Sequence, residues 1–154
     1  MPEARSFADR RFYGRRKGRP LRKGQQHLID TLLPRLAIAL PGSGKLDPRS
    51  LFAHKPERVW LEIGFGGGEH LAEQARAHPE VGLIGCEVFL NGIATLLGQV
   101  SALGLANVGI HPEDARDLLD ALPDGSLDRV FLLFPDPWPK RGHADRRFIQ
   151  PANL

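Results

Sequence analysis

Residues 61 to 69 read Leu-Glu-Ile-Gly-Phe-Gly-Gly-Gly-Glu, a segment whose residue types can hold a charged small molecule. Gly64, Gly66, Gly67 and Gly68 permit positive φ and let a ligand lie directly against the backbone. A glycine-rich turn without a ligand is the plain alternative, weakened by the strand-like run before it and the helical run after it. The dinucleotide fingerprint requires glycine at its sixth position, where this chain has Glu69. A carboxylate at that helix start would also oppose a pyrophosphate. Glu62, just ahead of the turn, suits a ligand with a positive end, such as the α-ammonium or sulfonium of S-adenosylmethionine. Glu87 follows a second apolar run, where an acid accepts hydrogen bonds from ribose hydroxyls, a feature that NAD enzymes share. Asp114 follows a third run and could accept from an adenine amino group or cap the helix that begins beside it. Three acids at three successive strand ends form one rim of a sheet, where α/β proteins bind ligands.

Residues 134 to 141, Phe-Pro-Asp-Pro-Trp-Pro-Lys-Arg, follow a fourth apolar run. Their three prolines restrict the backbone and hold Asp136, Trp138 and Lys140 in set directions. A rigid connector is the alternative for an isolated Pro-Asp-Pro. A position beside the predicted rim argues against it.

These residues must be positioned by short strands and helices in alternation. Strands are expected at Val59–Ile63, Leu83–Cys86, Val108–Ile110 and Asp128–Phe134, the last apolar on both faces as a central parallel strand should be. Helices are expected at Glu69–Ala77, Leu90–Leu103 and Ala115–Leu122. The pattern predicts an α/β sheet with right-handed crossovers. Ahead of it, residues 25 to 40 carry leucines at helical spacing, with Pro34 set to kink or split the helix. Residues 41 to 57 read as a loop.

The 154 residues predict one domain with a tail, and the net charge of +3 conceals a segregation. Residues 5 to 23 hold nine Lys/Arg against Asp9 alone, whereas the chain from residue 24 on carries more acids than bases. A basic arm on a mildly acidic body fits a polyanion-binding device, with a solubilising tail or transit peptide as the bland reading. Phe7, Phe12 and Tyr13 among the arginines could stack on bases. No apolar run approaches the roughly 20 residues of a membrane span, and no secretory h-region follows the arginines. The one cysteine, Cys86, excludes an internal disulfide and suits a reducing cytoplasm. No zinc-ligand spacing exists, so no metal site is expected.

Leu-Glu-Ile-Gly-Phe-Gly at 61 to 66, Gly-Cys-Glu-Val at 85 to 88, Glu-Asp-Ala at 113 to 115 and Phe-Pro-Asp-Pro-Trp-Pro-Lys at 134 to 140 together resemble the bacterial tRNA (guanine-N7-)-methyltransferases. Gly-Arg-Arg-Lys-Gly-Arg-Pro-Leu-Arg at 14 to 22 extends the resemblance into the arm. It implies a Rossmann-like class I S-adenosylmethionine-dependent methyltransferase sheet. Residues 1 to 24 would be a basic, flexible arm and residues 25 to 154 a partial methyltransferase domain. The family's last three strands and C-terminal Thr-x-x-Glu motif have no counterpart, so a truncated form is expected. The implied reaction moves a methyl group from S-adenosylmethionine to N7 of a guanine in the variable loop of tRNA. A non-catalytic tRNA- or cofactor-binding remnant is the alternative. By motif, Glu62, Gly64, Gly66, Glu87, Asp114 and Asp136 would bind the cofactor, with Asp136 also catalytic. Lys140, His143, Arg146 and Arg147 would contact tRNA, although residues 142 to 147 are less basic than is usual for the family. A cytoplasmic monomer or homodimer is the corresponding expectation.

Overall fold

The computed structural model describes residues 16–133. Two short helices, α1 (Lys23–Thr31) and α2 (Leu33–Leu36), precede a 3-10 turn at Pro48–Leu51. The alternating part then runs β1 (Val59–Ile63), α3 (Glu69–Ala77), β2 (Gly82–Cys86), α4 (Leu90–Leu103), β3 (Val108–His111), α5 (Ala115–Ala121) and β4 (Arg129–Leu132). All strand pairs are parallel, in the order β3-β2-β1-β4. β1 and β2 are buried along their whole length, which is why their sequences are almost continuously apolar.

Alternation along each strand divides the core between two faces. Trp60 and Leu83 join Leu71, Leu97 and Ile110 beneath α3 and α4, with Leu28 and Ile29 of α1 packed against them. Leu61, Ile63, Ile84 and Cys86 join Leu118 of α5 on the other face. Asn107, buried just before β3, ties the two ends of the α3–β2 connection together. Its side-chain amide shares its hydrogens among the carbonyls of Ala75, His78 and Val81, each at 3.0 Å.

Three sequence expectations are corrected in detail. The N-terminal helix splits at Leu32, with Pro34 in the first turn of α2, but it does not run to residue 40. Ala37 instead bridges Ile110, and the Ile38 N–H donates to the Ile110 carbonyl at 2.9 Å. The chain there gains more from pairing with β3 than from another helical turn. The fourth strand is shorter than Asp128–Phe134 and is not central among the described residues. Among the described strands it pairs with β1 alone, and Val130 is 50% exposed. The stretch assigned to a flexible arm includes residues that are held in place. α1 starts at Lys23, and the Leu90 N–H donates to the Arg16 carbonyl at 2.8 Å. Asn91 both accepts from the Gly18 N–H and donates to the Arg19 carbonyl.

Candidate functional site

The register places Ile63, Cys86, His111 and Leu132 side by side at the C-terminal ends of the four strands. Beyond them lie the glycine turn after β1, Glu87 after β2 and Asp114 after β3, so the three predicted acids share one rim. β4 brings the chain to the same rim at Leu133. Asp136, Lys140, His143, Arg146 and Arg147 lie outside the described residues.

The glycine turn is built by close approach as much as by backbone freedom. Gly64, Gly66 and Gly68 all have positive φ, at 68°, 61° and 81°. α4 packs directly on the turn through Gly92, where a Cβ would stand 2.1 Å from the Gly66 carbonyl oxygen. Gln99, two turns further along the same face of α4, donates from Nε2 to the Gly67 carbonyl at 2.8 Å. Glu87 supports the turn from the other side: Oε2 accepts from the Gly66 N–H at 3.0 Å and Oε1 from the Phe89 N–H at 3.1 Å.

Glu62 is only 2% exposed and lies on the α3 side of β1. Its Oε1 stands 2.6 Å from Nδ1 of His70 in the first turn of α3. Its Oε2 is buried with no hydrogen-bond partner among the described residues. Burial pushes the Glu62 carboxyl above its ordinary range, while the hydrogen bond and charge of His70 pull it down and Glu69 adds a smaller upward push. The His70 ring meets Phe131 of β4 edge-on, with centroids 4.9 Å apart.

Asp114 realises the capping alternative. Its carboxylate accepts from the Arg116 N–H at 2.9 Å, as the N-cap of α5, and pairs with the Arg116 guanidinium. His111 fixes the same corner by donating from Nε2 to the Asp114 carbonyl at 3.0 Å. Burial lowers the readiness of His111 to take a second proton, and its Nδ1 has no partner among the described residues. Cys86 is equally enclosed, and burial pushes its thiol far above the range in which it ionises, so it serves as a small apolar residue. Sequence reasoning missed His70, Asn91, Gln99 and His111. The only signal for His70 was a histidine at the start of the helix after the turn. Among the described residues no group of three or more metal-ligating side chains occurs, and no helix is long and apolar enough to cross a membrane.

A parallel sheet in this order, with a glycine turn after its first strand and acids along one rim, defines a Rossmann-like α/β fold. A family model described as "Putative methyltransferase" matches residues 56–154, and the chain belongs to that methyltransferase family. It is 59% identical over 157 residues to the tRNA (guanine-N(7)-)-methyltransferase of Rhodospirillum rubrum, covering 100% of this chain and 61% of that protein. Identity to the protein of the same name from Paramagnetospirillum magneticum is 60%, over 94% of this chain and 61% of the relative. For the Paracoccus denitrificans protein of that name the figures are 47%, 94% and 64%. This chain therefore spans 61% to 64% of the length of these curated relatives. Among solved structures, the 16S rRNA (adenine(1408)-N(1))-methyltransferase from Catenulisporales acidiphilia is similar over 67% of this chain and 48% of its own, with 23% identity and a TM-score of 0.44.

Proposed function

We propose that this chain carries the cofactor-binding and catalytic part of a tRNA (guanine-N7-)-methyltransferase that acts on a guanine in the tRNA variable loop. The reading carries with it a cytoplasmic location and a monomeric or homodimeric state. It is supported by relatives that bear that name at 47% to 60% identity. The observation that carries it is the enclosed, half-satisfied carboxylate of Glu62 beside the glycine turn. An acid left so is destabilising on its own and suits a site that awaits a cation.

The residues present fit S-adenosylmethionine. The Glu62 Oε2 would accept from the α-ammonium, and the positive-φ glycines let the ligand lie on the backbone. Each Glu87 oxygen accepts one backbone N–H, and a carboxylate has lone pairs beyond these for ribose hydroxyls. Asp114 would share its carboxylate between Arg116 and the adenine amino group. When bound, the cofactor supplies an electrophilic methyl group on a sulfonium.

Guanine N7 already has an available lone pair, so this chain has to align and stabilise rather than remove a proton. Asp136 would hold the guanine edge and offset the positive charge that appears on the imidazole ring. A carboxylate about 4 Å from that charge contributes up to ~4 kcal/mol at an effective dielectric near 20. After allowance for ground-state stabilisation, about one to three decades of rate remain. Lys140, His143, Arg146 and Arg147 would contact the tRNA backbone.

Calorimetric titration with S-adenosylhomocysteine, paired with methyl transfer to a tRNA transcript, tests the proposal. Saturable binding is expected in both the parent chain and Asp136→Asn, with turnover lowered by about one to three decades in the variant. No binding to the parent chain would sink the cofactor reading. Undiminished turnover in Asp136→Asn would remove the catalytic assignment.

A further inference from the structure

The Glu62–His70 contact has a geometry that folding alone does not require. Enclosing a carboxylate beside one polar partner is often no better for stability than apolar packing of the same volume, and here one carboxylate oxygen lacks even a hydrogen-bond partner among the described residues. The two partners also differ in access to water: the Glu62 side chain is 2% exposed and that of His70 is 37% exposed. The imidazole can therefore exchange protons with solvent while the acid behind it is enclosed.

We infer that His70 is a positioning residue for the cofactor's cationic end, fixing the Glu62 carboxylate through Oε1 so that Oε2 meets the ammonium, and setting the pH range over which the site accepts a cation. The inference rests on the cofactor reading above. The ring that does this is itself oriented: Phe131 meets it edge-on at 72°, and Phe131 in turn meets Trp60. With Nδ1 committed to Oε1 at 2.6 Å, the carboxylate cannot rotate to offer both oxygens to a ligand. A donor bond to the ionised form also favours that form, and a cation is attracted only to that form.

Among the described residues few other charges stand near Glu62. α3 supplies Glu69 besides His70, and Glu69 opposes ionisation of Glu62. Gly85 of β2 and Phe131 of β4 stand opposite Glu62 in the sheet. α4 meets the turn with Leu96 and Gln99, both uncharged. The nearest charge from β4 is Arg129, whose guanidinium lies over the Trp60 ring at 4.5 Å and 5.9 Å from the Phe131 centroid. Among the described residues His70 is thus the group that favours the ionised form of Glu62.

The test combines two readouts on the full chain and on His70→Leu and His70→Asn. One is the carboxyl carbon titration of Glu62 by NMR without ligand; the other is S-adenosylhomocysteine affinity from pH 5 to 8. In His70→Leu the Glu62 titration should move to higher pH. The acid limb of the binding curve should follow by about one pH unit, which is about tenfold in Kd at a pH on that limb. His70→Asn keeps an N–H near the Nδ1 position, so its acid limb should lie above that of the parent and below that of the leucine variant. Should the leucine variant fail to fold, the position of the asparagine limb decides. A Glu62 titration or an acid limb indifferent to both substitutions overturns the inference. If the Glu62 titration moves but the parent chain binds no S-adenosylhomocysteine at any pH, the cofactor reading itself has failed.

Discussion

Glu62 shows at the level of one residue how a site can oppose the fold that holds it. Its carboxyl is raised above the ordinary value near 4.5, chiefly by burial. The folded chain therefore holds that proton more tightly than the unfolded chain. By linkage, stability falls as pH rises from about 4.5 through the raised folded value, and the loss is complete above it. Glu62→Met, which keeps the length and removes the charge, should raise the melting temperature of the unliganded chain at pH 7 by on the order of a few °C. The gain should shrink as pH approaches 4.5, and calorimetry should find cofactor-analogue binding lost. A lower melting temperature at pH 7 would mean that the carboxylate supports the fold rather than a ligand. Sequence made these acids legible because Glu87 and Asp114 follow apolar runs whose ends are easy to see and Glu62 stands within one, just ahead of the glycine turn. It did not reveal His70, since that contact exists only after the turn has folded α3 back over β1. It left two roles open for Asp114, and the capping role is the one realised within the chain itself.

Among the elements, the contact between α4 and the glycine turn is the least forgiving. The atom that a Cβ at Gly92 would meet is backbone, the Gly66 carbonyl oxygen, and it cannot move aside without moving the turn. Gly92→Ala should therefore destabilise the chain by about 1–3 kcal/mol and weaken S-adenosylhomocysteine binding together with it. At Gly98, on the same helix, an added Cβ would meet no neighbouring atom within 4 Å. Gly98→Ala should stabilise by about 0.5–1 kcal/mol in denaturant melts and leave binding alone. Equal effects from the two substitutions would show that helix propensity, not close approach, dominates. β1, α3 and α4 fall on the residues that periodicity predicts, and β2, β3 and α5 differ from expectation by one residue at an end. Strong period and clear punctuation by glycine make such elements readable. Residues 37 and 38 were not readable, because a partner strand more than seventy residues away decides their conformation. β4 was expected to be central, yet among the described residues it has one neighbour: an apolar strand sequence does not say how many neighbours the strand has.

Across the whole molecule, charge and topology run in different directions. The basic residues gather toward the N-terminal end, yet Arg16 reaches the rim after β3 and stands 3.4 Å from Glu113. Both side chains are more than half exposed, so the pair itself adds little stability. The backbone bonds of Arg16, Gly18 and Arg19 to α4 do more to hold that segment beside the site. The strand order has a consequence in time. β1 to β2 and β2 to β3 are each joined by one helix and pair at once with their successor. β4 must instead return past both to reach β1, and the Asp128 carboxylate that accepts the Val59 N–H at 2.8 Å closes a loop of 69 residues. Longer loops carry more closure entropy, and pairings at long separation form late. Pulse-labelled hydrogen exchange during refolding should then protect the amides of β2 and β3 before those of β4, and simultaneous protection would contradict this order. The contact of α3 with β4, where the His70 ring meets Phe131, is in that case among the last of the described contacts to come into being.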